Sequence, residues 1–391
     1  MSGAKVPVRI AISAGESSGD TLGAGLIRAL KTSVPAVGSL DVFGIAGPAM
    51  RAAGCEAWYR SEALSVMGLA EVLRHLPRLL RLRSEFAERL LSEPPDVFCG
   101  IDSPDFNLPL ARRLKSAGIR TVQYVSPQVW AWRQSRVKTI AKSVDEVLCL
   151  LPFETDFYAE HGVAAQFVGH PLADEIPLDV DRAGARAGLG LAPDRPLLAL
   201  LPGSRRSEVS RLAQPFAETA AWLAGRVADL GVAVAIAHEG LSDEWAARSA
   251  GVASAGTFAC YVGRAREVMS AADVVLTASG TASLEAMLLR RPMVVAYRMA
   301  AVSYWLFRRM GIQKLPFYSL PNLLAGRELA AEYVQGEVRA DVLGPALLRC
   351  FDSGADDRER DALMQLLHER LRRGASGRAA EAVLTLAGSA V

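Results

Sequence analysis

Acidic side chains follow the apolar runs in the first half of the chain, where a catalytic base could act. Asp102 comes directly after the run Val97 to Ile101, and Asp105 follows within a Pro-Asp turn. Glu16 occupies the corresponding turn after Val8 to Ala14. A carboxylate can take the proton of a weakly acidic hydroxyl as a new bond forms, so we predict Asp102 as a general base. Glu16 and Asp105 are further catalytic candidates, and a helix-capping role fits them equally well.

Positive charge and backbone donors dominate the turns of the second half. Gly203, Ser204 and Arg205 lie between the apolar run Leu197 to Leu201 and a helical pattern that begins at Val209. The N-terminus of a helix offers unpaired N–H groups and a partial positive charge, to which Arg205 adds a full charge. The pattern predicts a phosphate or diphosphate site, with an ordinary strand-to-helix loop as the alternative.

A second turn of this kind contains serine, glycine and threonine ahead of another helical pattern. Its hydroxyls can cap the helix while its glycine opens the backbone. From this turn we include Ser279, Gly280, Thr281 and Glu285 in the candidate nucleotide site. We also include Gly263 and Arg264, which follow the earlier apolar run Phe258 to Val262. Carboxylates in one half and donors in the other suggest that one domain binds a neutral nucleophile and the other an anionic donor nucleotide.

Strand-like apolar runs alternate with helical patterns and must position these turns. In the first half the runs are Val8 to Ala14, Leu40 to Ile45, Val97 to Ile101, Thr121 to Val125 and Val147 to Leu151. In the second half they are Leu197 to Leu201, Val232 to Ala237, Phe258 to Val262, Val274 to Thr277 and Met293 to Tyr297. Continuous apolar strands flanked by helices indicate parallel sheets covered on both faces. We predict an α/β fold of two doubly wound, Rossmann-like domains.

The chain length and one polar stretch set the predicted domain boundary. A chain of 391 residues exceeds what one core usually organises. Four prolines interrupt the polar stretch from Gly169 to Pro196, which we interpret as the hinge region. We expect one domain over residues 1–176, joined by a C-terminal helix at 376–391, and a second over 177–375. From Glu328 onward the pattern predicts helices and no strand.

Composition excludes several classes of protein. The sequence is 51% hydrophobic and 22% charged, as in soluble globular proteins, and its formal net charge of +2 predicts no nucleic-acid partner. The five cysteines have neither metal-ligand nor redox spacing, so we expect no metal site and a reducing cytoplasm. Asp179 and Asp181 form an Asp-x-Asp pair, but they lie in the polar linker and not at a strand end. No run of eighteen apolar residues predicts a membrane span.

Five long motifs, in order along nearly the whole chain, resemble the lipid-A-disaccharide synthase family. They are Gly15 to Asp20, Gly100 to Asn107, Val125 to Arg133, Leu201 to Arg205 and Ser319 to Arg327. The resemblance implies a fold of the glycosyltransferase B type and an inverting transfer without a cofactor. UDP-2,3-diacylglucosamine would be the donor and 2,3-diacylglucosamine 1-phosphate would be the acceptor. The products would be UDP and a β-1,6-linked disaccharide phosphate, which is the precursor of lipid A.

The resemblance also assigns roles to residues of this sequence. Asp102 matches the proposed base, whereas Arg205, Glu285, Asn322 and Arg327 match residues on or near the nucleotide site. The first domain would bind the acceptor and the second the UDP-sugar. Members are peripheral membrane proteins, and some form homodimers by exchanging C-terminal parts. Two alternatives remain. One is another UDP-sugar enzyme of this fold, such as a UDP-N-acetylglucosamine epimerase, and the other is a non-catalytic UDP-sugar-binding protein at the membrane surface.

The segment Val66 to Arg83 has a basic amphipathic pattern. Leucines recur at helical spacing, with arginines around them, and Pro77 predicts either a kink or two short helices. An ordinary helix packed on the sheet is the simpler interpretation. Because a diacylated sugar resides in a bilayer, we expect instead that this segment contacts the inner face of the cytoplasmic membrane.

Overall fold

The computed structural model describes residues 7–33, 39–64, 69–131, 134–252, 257–278, 280–300, 304, 309, 316–353 and 358–388, with the backbone alone at 63, 69–75 and 353. The chain divides into two compact units. Unit 1 comprises Met1–Asp174 with Leu371–Val391, and unit 2 comprises Glu175–Arg370. Each unit is built on its own parallel sheet with helices, which confirms the predicted α/β class.

Unit 1 contains a seven-stranded sheet in the order β3-β2-β1-β4-β5-β6-β7. Its strands are β1 (Val8–Ala14), β2 (Leu40–Ala46), β3 (Glu56–Arg60), β4 (Val97–Ile101), β5 (Arg120–Tyr124), β6 (Glu146–Cys149) and β7 (Ala165–Phe167). Its helices are α1 (Ser17–Thr32), α2 (Pro48–Ala52), α3 (Leu69–Ser92), α4 (Pro104–Ser116), α5 (Val137–Ser143) and α6 (Pro152–Ala159), and α7 (Pro171–Glu175) ends at the unit boundary. Parallel pairing brings the carboxyl ends of β1, β4 and β5 to one edge.

Unit 2 contains a six-stranded sheet in the order β10-β9-β8-β11-β12-β13. Its strands are β8 (Leu197–Leu201), β9 (Gly231–Ile236), β10 (Ala259–Val262), β11 (Val274–Ala278), β12 (Met293–Tyr297) and β13 (Ala331–Val334). Its helices include α8 (Arg182–Gly188), α9 (Arg206–Ala224), α10 (Ser242–Ser249), α11 (Ala265–Ala271), α12 (Thr281–Leu288), α13 (Leu320–Ala325), α14 (Ala340–Ser353) and α15 (Arg358–Leu371), which reaches the boundary.

The expectation that no strand follows Glu328 is wrong, because β13 pairs with β12. β13 lies at the edge of its sheet, where only one neighbour is available. An edge strand does not need the continuous apolar sequence of a central strand, and Ala331–Val334 contains Glu332 and Tyr333. The helices of this region begin later than the pattern predicted, at Ala340.

The end of the chain packs on unit 1 through α16 (Ala375–Leu386), which lies against α1. Asp174 accepts hydrogen bonds from the backbone N–H groups of Gly374, at 2.8 Å, and Ala375, at 2.6 Å. One carboxylate therefore binds the start of α16 to the last residue of the first segment of unit 1. Buried side chains of α16, such as Val383, belong to the same core as the sheet.

The helix α3 is a single helix that runs through Pro77. In its second half Phe86 and Leu90 are fully buried against the sheet. Before that point Leu76 and Leu80 are 41% and 44% exposed. The first half of the segment predicted to meet the membrane lies partly outside the described residues, which begin again at Leu69. No helix in the part of the chain that the structure describes is long and apolar enough to cross a bilayer.

Candidate functional site

Three residues that follow the carboxyl ends of two adjacent strands of the unit 1 sheet have left-handed backbones. Asp102 has φ of 49° and Ser103 φ of 40° after β4, and Val125 has φ of 73° after the adjacent strand β5. For a β-branched residue this conformation is a genuine outlier, and each such residue costs about 1–3 kcal/mol. Strain of this kind persists only where the surroundings impose it, and it concentrates at functional sites.

Two buried side-chain amides hold the strained corner that Asp102, Ser103 and Val125 form. The Asn107 side chain, on the first turns of α4, donates through Nδ2 to the Asp102 carbonyl oxygen at 2.9 Å. The Gln123 side chain, on β5, donates through Nε2 to the same oxygen at 3.0 Å. The Asp102 N–H donates to the Tyr124 carbonyl oxygen at 2.9 Å. The main chain of Asp102 is thus fixed by three hydrogen bonds with two other elements, two accepted and one donated, and the sequence did not predict them.

The Asp102 carboxylate lies in a partly buried position. Burial raises its pKa above the ordinary value of 3.8, while a hydrogen bond from the Ser103 backbone opposes the shift. A carboxylate with a raised pKa is a better proton acceptor than an ordinary one. Its place after β4 and its raised pKa are compatible with the predicted base, whose role stays a prediction.

The other two acidic candidates of unit 1 have different surroundings. Glu16 precedes α1, is exposed, and makes no side-chain capping bond. Its turn contacts the Asp102 turn, because a Cβ added to Gly15 would lie 2.8 Å from the Ser103 hydroxyl. Asp105 is 86% exposed and forms an ion pair of 2.6 Å with Arg136. Glu16 is therefore available near Asp102, whereas Asp105 is engaged on the surface.

The Gly203 turn of unit 2 already holds an anion from its own chain. Glu208 accepts hydrogen bonds from the N–H groups of Ser204, at 3.0 Å, and Arg205, at 3.2 Å. Gly203 has φ of 117°, and a Cβ there would lie 2.5 Å from the Glu208 carboxylate. The Arg205 guanidinium is 75% exposed and lies 3.5 Å from the same carboxylate. Glu208 occupies the backbone donors of this turn while Arg205 remains accessible, and the predicted phosphate site stays a prediction.

The N-terminus of α12 lies at the same edge, because β11 pairs with β8 as Thr277 opposite Leu201. Gly280, with φ of 135°, precedes the helix, and both it and Thr281 are exposed. Among the described residues no side chain caps this helix. Its first N–H groups are candidate donors to an anion, whereas Glu208 occupies those of the Gly203 turn. Ser279 lies outside the described residues.

Glu285 lies one turn into α12 and is mostly buried. Burial raises its pKa, and the charge of Arg266 opposes that shift. Arg266 lies 3.5 Å from Glu285 and 3.2 Å from Glu175. Gly263 follows β10 with φ of 68°, and Arg264 donates to the Gly188 carbonyl oxygen at 3.2 Å. Arg266, which the sequence reasoning passed over, is therefore the arginine next to Glu285.

Asn322 and Arg327 belong to one loop system in unit 2. Asn322 is fully buried, and its amide binds the main chain of Leu329 and Ala330 at 2.7 to 2.9 Å and the Glu332 carboxylate at 2.7 Å. Arg327 lies in the loop so held and forms an ion pair of 2.9 Å with Glu359. The Asn322 amide thus shapes the loop that carries Arg327, and its role as a direct nucleotide contact stays a prediction.

The described residues contain no group of three or more His, Cys, Asp or Glu side chains that could hold a metal ion. Of the Asp-x-Asp pair, Asp181 caps α8 by accepting from the Gly184 N–H at 2.8 Å, and Asp179 lies 3.9 Å from Arg290. The Asp pair therefore has local structural contacts.

The Cys99 thiol is fully buried, and burial raises its pKa to about 12.

Solved structures with this fold include sugar-nucleotide enzymes. The glycotransferase of kitacinnamycin aligns with a TM-score of 0.63 at 18% identity, over 97% of this chain and 99% of the other. UDP-GlcNAc 2-epimerase from Neisseria meningitidis, bound to UDP-GlcNAc, aligns with a TM-score of 0.62 at 11% identity, over 97% and 100%. At these identities the likeness concerns the fold alone, which is the glycosyltransferase B type with a helical C-terminal tail.

Sequence comparison identifies the family. The family model described as Lipid-A-disaccharide synthetase matches residues 10–386. Lipid-A-disaccharide synthase of Alkalilimnicola ehrlichii is 53% identical over 97% of this chain and 99% of its own length. The enzyme of the same name from Yersinia pseudotuberculosis is 48% identical over 97% of this chain and 95% of its own length. The chain belongs to the lipid-A-disaccharide synthase family.

Proposed function

We propose that this enzyme transfers diacylglucosamine from UDP-2,3-diacylglucosamine to 2,3-diacylglucosamine 1-phosphate, giving the β-1,6-linked lipid A disaccharide 1-phosphate and UDP. The family match over residues 10–386 supports this reaction. The single observation that carries the residue assignment is the strained, half-buried Asp102 at the carboxyl end of β4.

Asp102 acts as the general base in this proposal. The 6-hydroxyl of the acceptor is far too weakly acidic to ionise at neutral pH, so its proton must leave as the new glycosidic bond forms. The hydroxyl oxygen attacks the anomeric carbon of the donor, the bond to the UDP oxygen breaks, and the proton passes to the Asp102 carboxylate. Attack opposite the leaving group inverts the anomeric configuration. Glu16, on the touching turn, is the nearest further acidic candidate.

The donor nucleotide binds at the carboxyl edge of the unit 2 sheet in this proposal. Negative charge accumulates on UDP as it leaves, and the exposed Arg205 guanidinium and the N-terminus of α12 can stabilise it. Glu285 accepts hydrogen bonds from the ribose hydroxyls. Because Glu208 occupies the N–H groups of the Gly203 turn, we assign the diphosphate to Arg205 and to the Gly280–Thr281 turn.

Residues Val66 to Arg83 supply the membrane contact in this proposal. The two exposed leucines Leu76 and Leu80 lie one helical turn apart, and Arg78 and Arg81 on the same stretch are exposed. Exposed apolar side chains beside basic ones favour an interface with anionic lipid, where both substrates reside. The enzyme would then work at the inner face of the cytoplasmic membrane. A homodimer formed by exchange of C-terminal parts stays a prediction.

The variant Asp102→Asn tests the assignment of the base. The amide keeps the size of the carboxylate but cannot accept the proton, so turnover should fall by about 10²-fold or more while UDP binding survives. The measurement is UDP release with diacylated donor and acceptor, together with calorimetric titration of UDP. Asp41→Asn is the matched control, since Asp41 is an exposed aspartate near the start of β2, at the opposite end of the sheet, and it should change turnover little. Near-normal turnover of Asp102→Asn would remove Asp102 from the mechanism.

A further inference from the structure

We propose that Asn107 and Gln123 are positioning residues that fix the main chain of Asp102 for proton transfer, an inference that rests on the proposed role of Asp102 as the base. Neither side chain needs to touch a substrate for this role. Both are fully buried, and they come from different elements, α4 and β5. Their common target is the carbonyl oxygen of a residue whose backbone is left-handed.

The orientation of the Asn107 amide follows from its neighbours. Besides the Asp102 oxygen, Nδ2 faces the carbonyl oxygens of Ile101 at 3.2 Å and Ser13 at 3.4 Å. Carbonyl oxygens only accept, so the NH₂ group must point at them. Asn107 thereby joins the ends of β1 and β4 at the point where the Asp102 turn leaves the sheet.

The Gln123 amide links two strained residues. Its Nε2 group also lies 3.3 Å from the carbonyl oxygen of Val125, so one amide donates to the main chain of both Asp102 and Val125. These are left-handed residues at the ends of adjacent strands. A single side chain thus holds together the two halves of the corner that carries the proposed base.

Packing alone does not explain these two amides. The side-chain oxygens of Asn107 and Gln123 are buried and have no hydrogen-bond partner among the described residues. A buried unsatisfied acceptor is unfavourable, so an apolar side chain of similar shape would serve packing better. What the amides add is their NH₂ groups, and these go to the Asp102 corner. Gly100 is part of the same arrangement, because a Cβ there would lie 2.8 Å from the Asn107 Cβ.

The surroundings of the Asp102 carboxylate determine what loosening this corner would do. Among the described residues, the charged groups around this corner include Glu16 after β1, the pair of Asp105 with Arg136, and Arg83 of α3, which donates to the Asp105 carbonyl oxygen at 3.3 Å. The largest influence on the Asp102 pKa is burial, not a charged neighbour. If the corner loosens and water reaches the carboxylate, its pKa should fall towards the ordinary value. The acid limb of the pH–rate profile would then move to lower pH.

The variant Gln123→Met tests the proposal in the full-length enzyme. Methionine keeps the shape of glutamine but has no donor for Asp102. We expect kcat to fall about 10- to 100-fold, because small misplacement of a catalytic group has effects of this size. The UDP dissociation constant should stay unchanged, and the acid limb of kcat/KM should move to lower pH. Thr121→Val is the matched control, since Thr121 is buried on the same strand and bonds Ser143 and Asp145 at its other end.

The control separates positioning from stability. Both variants lose a buried polar group from β5, so both should lower the melting temperature, but only Gln123→Met should change kcat and the pH profile. Equal kinetic effects of the two variants, or an unshifted acid limb in Gln123→Met, would overturn the proposal. If Gln123→Met does not fold, Gln123→Asn, which is shorter by one methylene, keeps a buried amide out of reach of Asp102 and should give the same kinetic changes. Full turnover of Asp102→Asn would instead overturn the proposed base itself.

Discussion

Replacing Leu76 and Leu80 together by serine should release the enzyme from membranes without unfolding it. Both leucines lie on the described part of α3 ahead of its buried half, which begins near Leu82. More than half of each residue's surface is covered within the protein, so their removal takes some apolar contact from the fold, and the exposed remainder is what lipid can cover. If they meet lipid, the same change removes part of the free energy of docking.

The size of the effect follows from the exposed fractions. Full burial of a leucine side chain contributes about 1.5–3 kcal/mol. Leu76 and Leu80 are 41% and 44% exposed, so burying what remains in lipid would contribute about 0.6–1.3 kcal/mol for each. The double variant should therefore bind vesicles roughly 8- to 80-fold more weakly.

Flotation with vesicles that contain anionic phospholipid measures this binding, and thermal unfolding measures stability. Leu366→Ser is the matched control, because Leu366 is an exposed leucine on α15 of unit 2, at 60% exposure. That control should leave vesicle binding unchanged. The double variant should stay folded with a modestly lower melting temperature, keep its affinity for UDP, and lose turnover mainly with membrane-borne substrates.

Two results would refute the membrane assignment. Unchanged vesicle binding would show that these leucines do not meet lipid. A large loss of thermal stability would show that they serve the core, as in an ordinary helix packed on its sheet.

The remaining predictions concern the donor site and the base. Arg205→Ala should weaken UDP binding roughly tenfold to over a hundredfold, since a charge-assisted contact is worth about 1.5–3 kcal/mol. Calorimetry should show no such loss for Arg206→Ala, whose guanidinium is paired with Glu244 at 2.9 Å, and equal UDP affinity of Arg205→Ala and the parent would exclude Arg205. Treatment with a chelator should leave turnover unchanged, because arginine and a helix N-terminus supply the positive charge, and a strict need for added divalent metal would contradict this. Burial raises the pKa of Asp102, and the base must be ionised, so kcat/KM should fall as the pH is lowered through a value above 3.8; an acid limb at or below that value would argue against Asp102.

The central strands could be predicted from the sequence because parallel strands covered on both faces are continuously apolar. Val97–Ile101 and Leu197–Leu201 are buried throughout. The strands that the pattern did not reveal are β3, β7 and β13, and all three lie at sheet edges. An edge strand is short or carries polar residues, as Glu56–Arg60 does, so its sequence has no clear apolar run.

The candidate site could be predicted only where a local pattern indicated it. Asp102 follows a buried strand, and its place is readable from its neighbours in sequence. The hydrogen bond from Gln123 joins positions 21 residues apart, and no local pattern predicts such a contact. Glu208 is four residues from Ser204, yet the turn alone does not show whether its donors face a ligand or the chain's own carboxylate. The left-handed conformation of Val125 could not be predicted from the sequence either, since valine disfavours it.

The contact between Asp174 and the start of α16 has a consequence for the order in which the protein can fold during synthesis. The core of unit 1 includes Val383 and Leu384, which the ribosome adds after the whole of Glu175–Arg370. At typical translation speeds those roughly 200 intervening residues take about 10–40 s to make. Through that interval α1 lacks its partner helix, and the apolar face that α16 later covers stays open to water or to chaperones. Unit 2, whose segment is continuous, can complete its own sheet first, so the unit that begins the chain is the last to be closed.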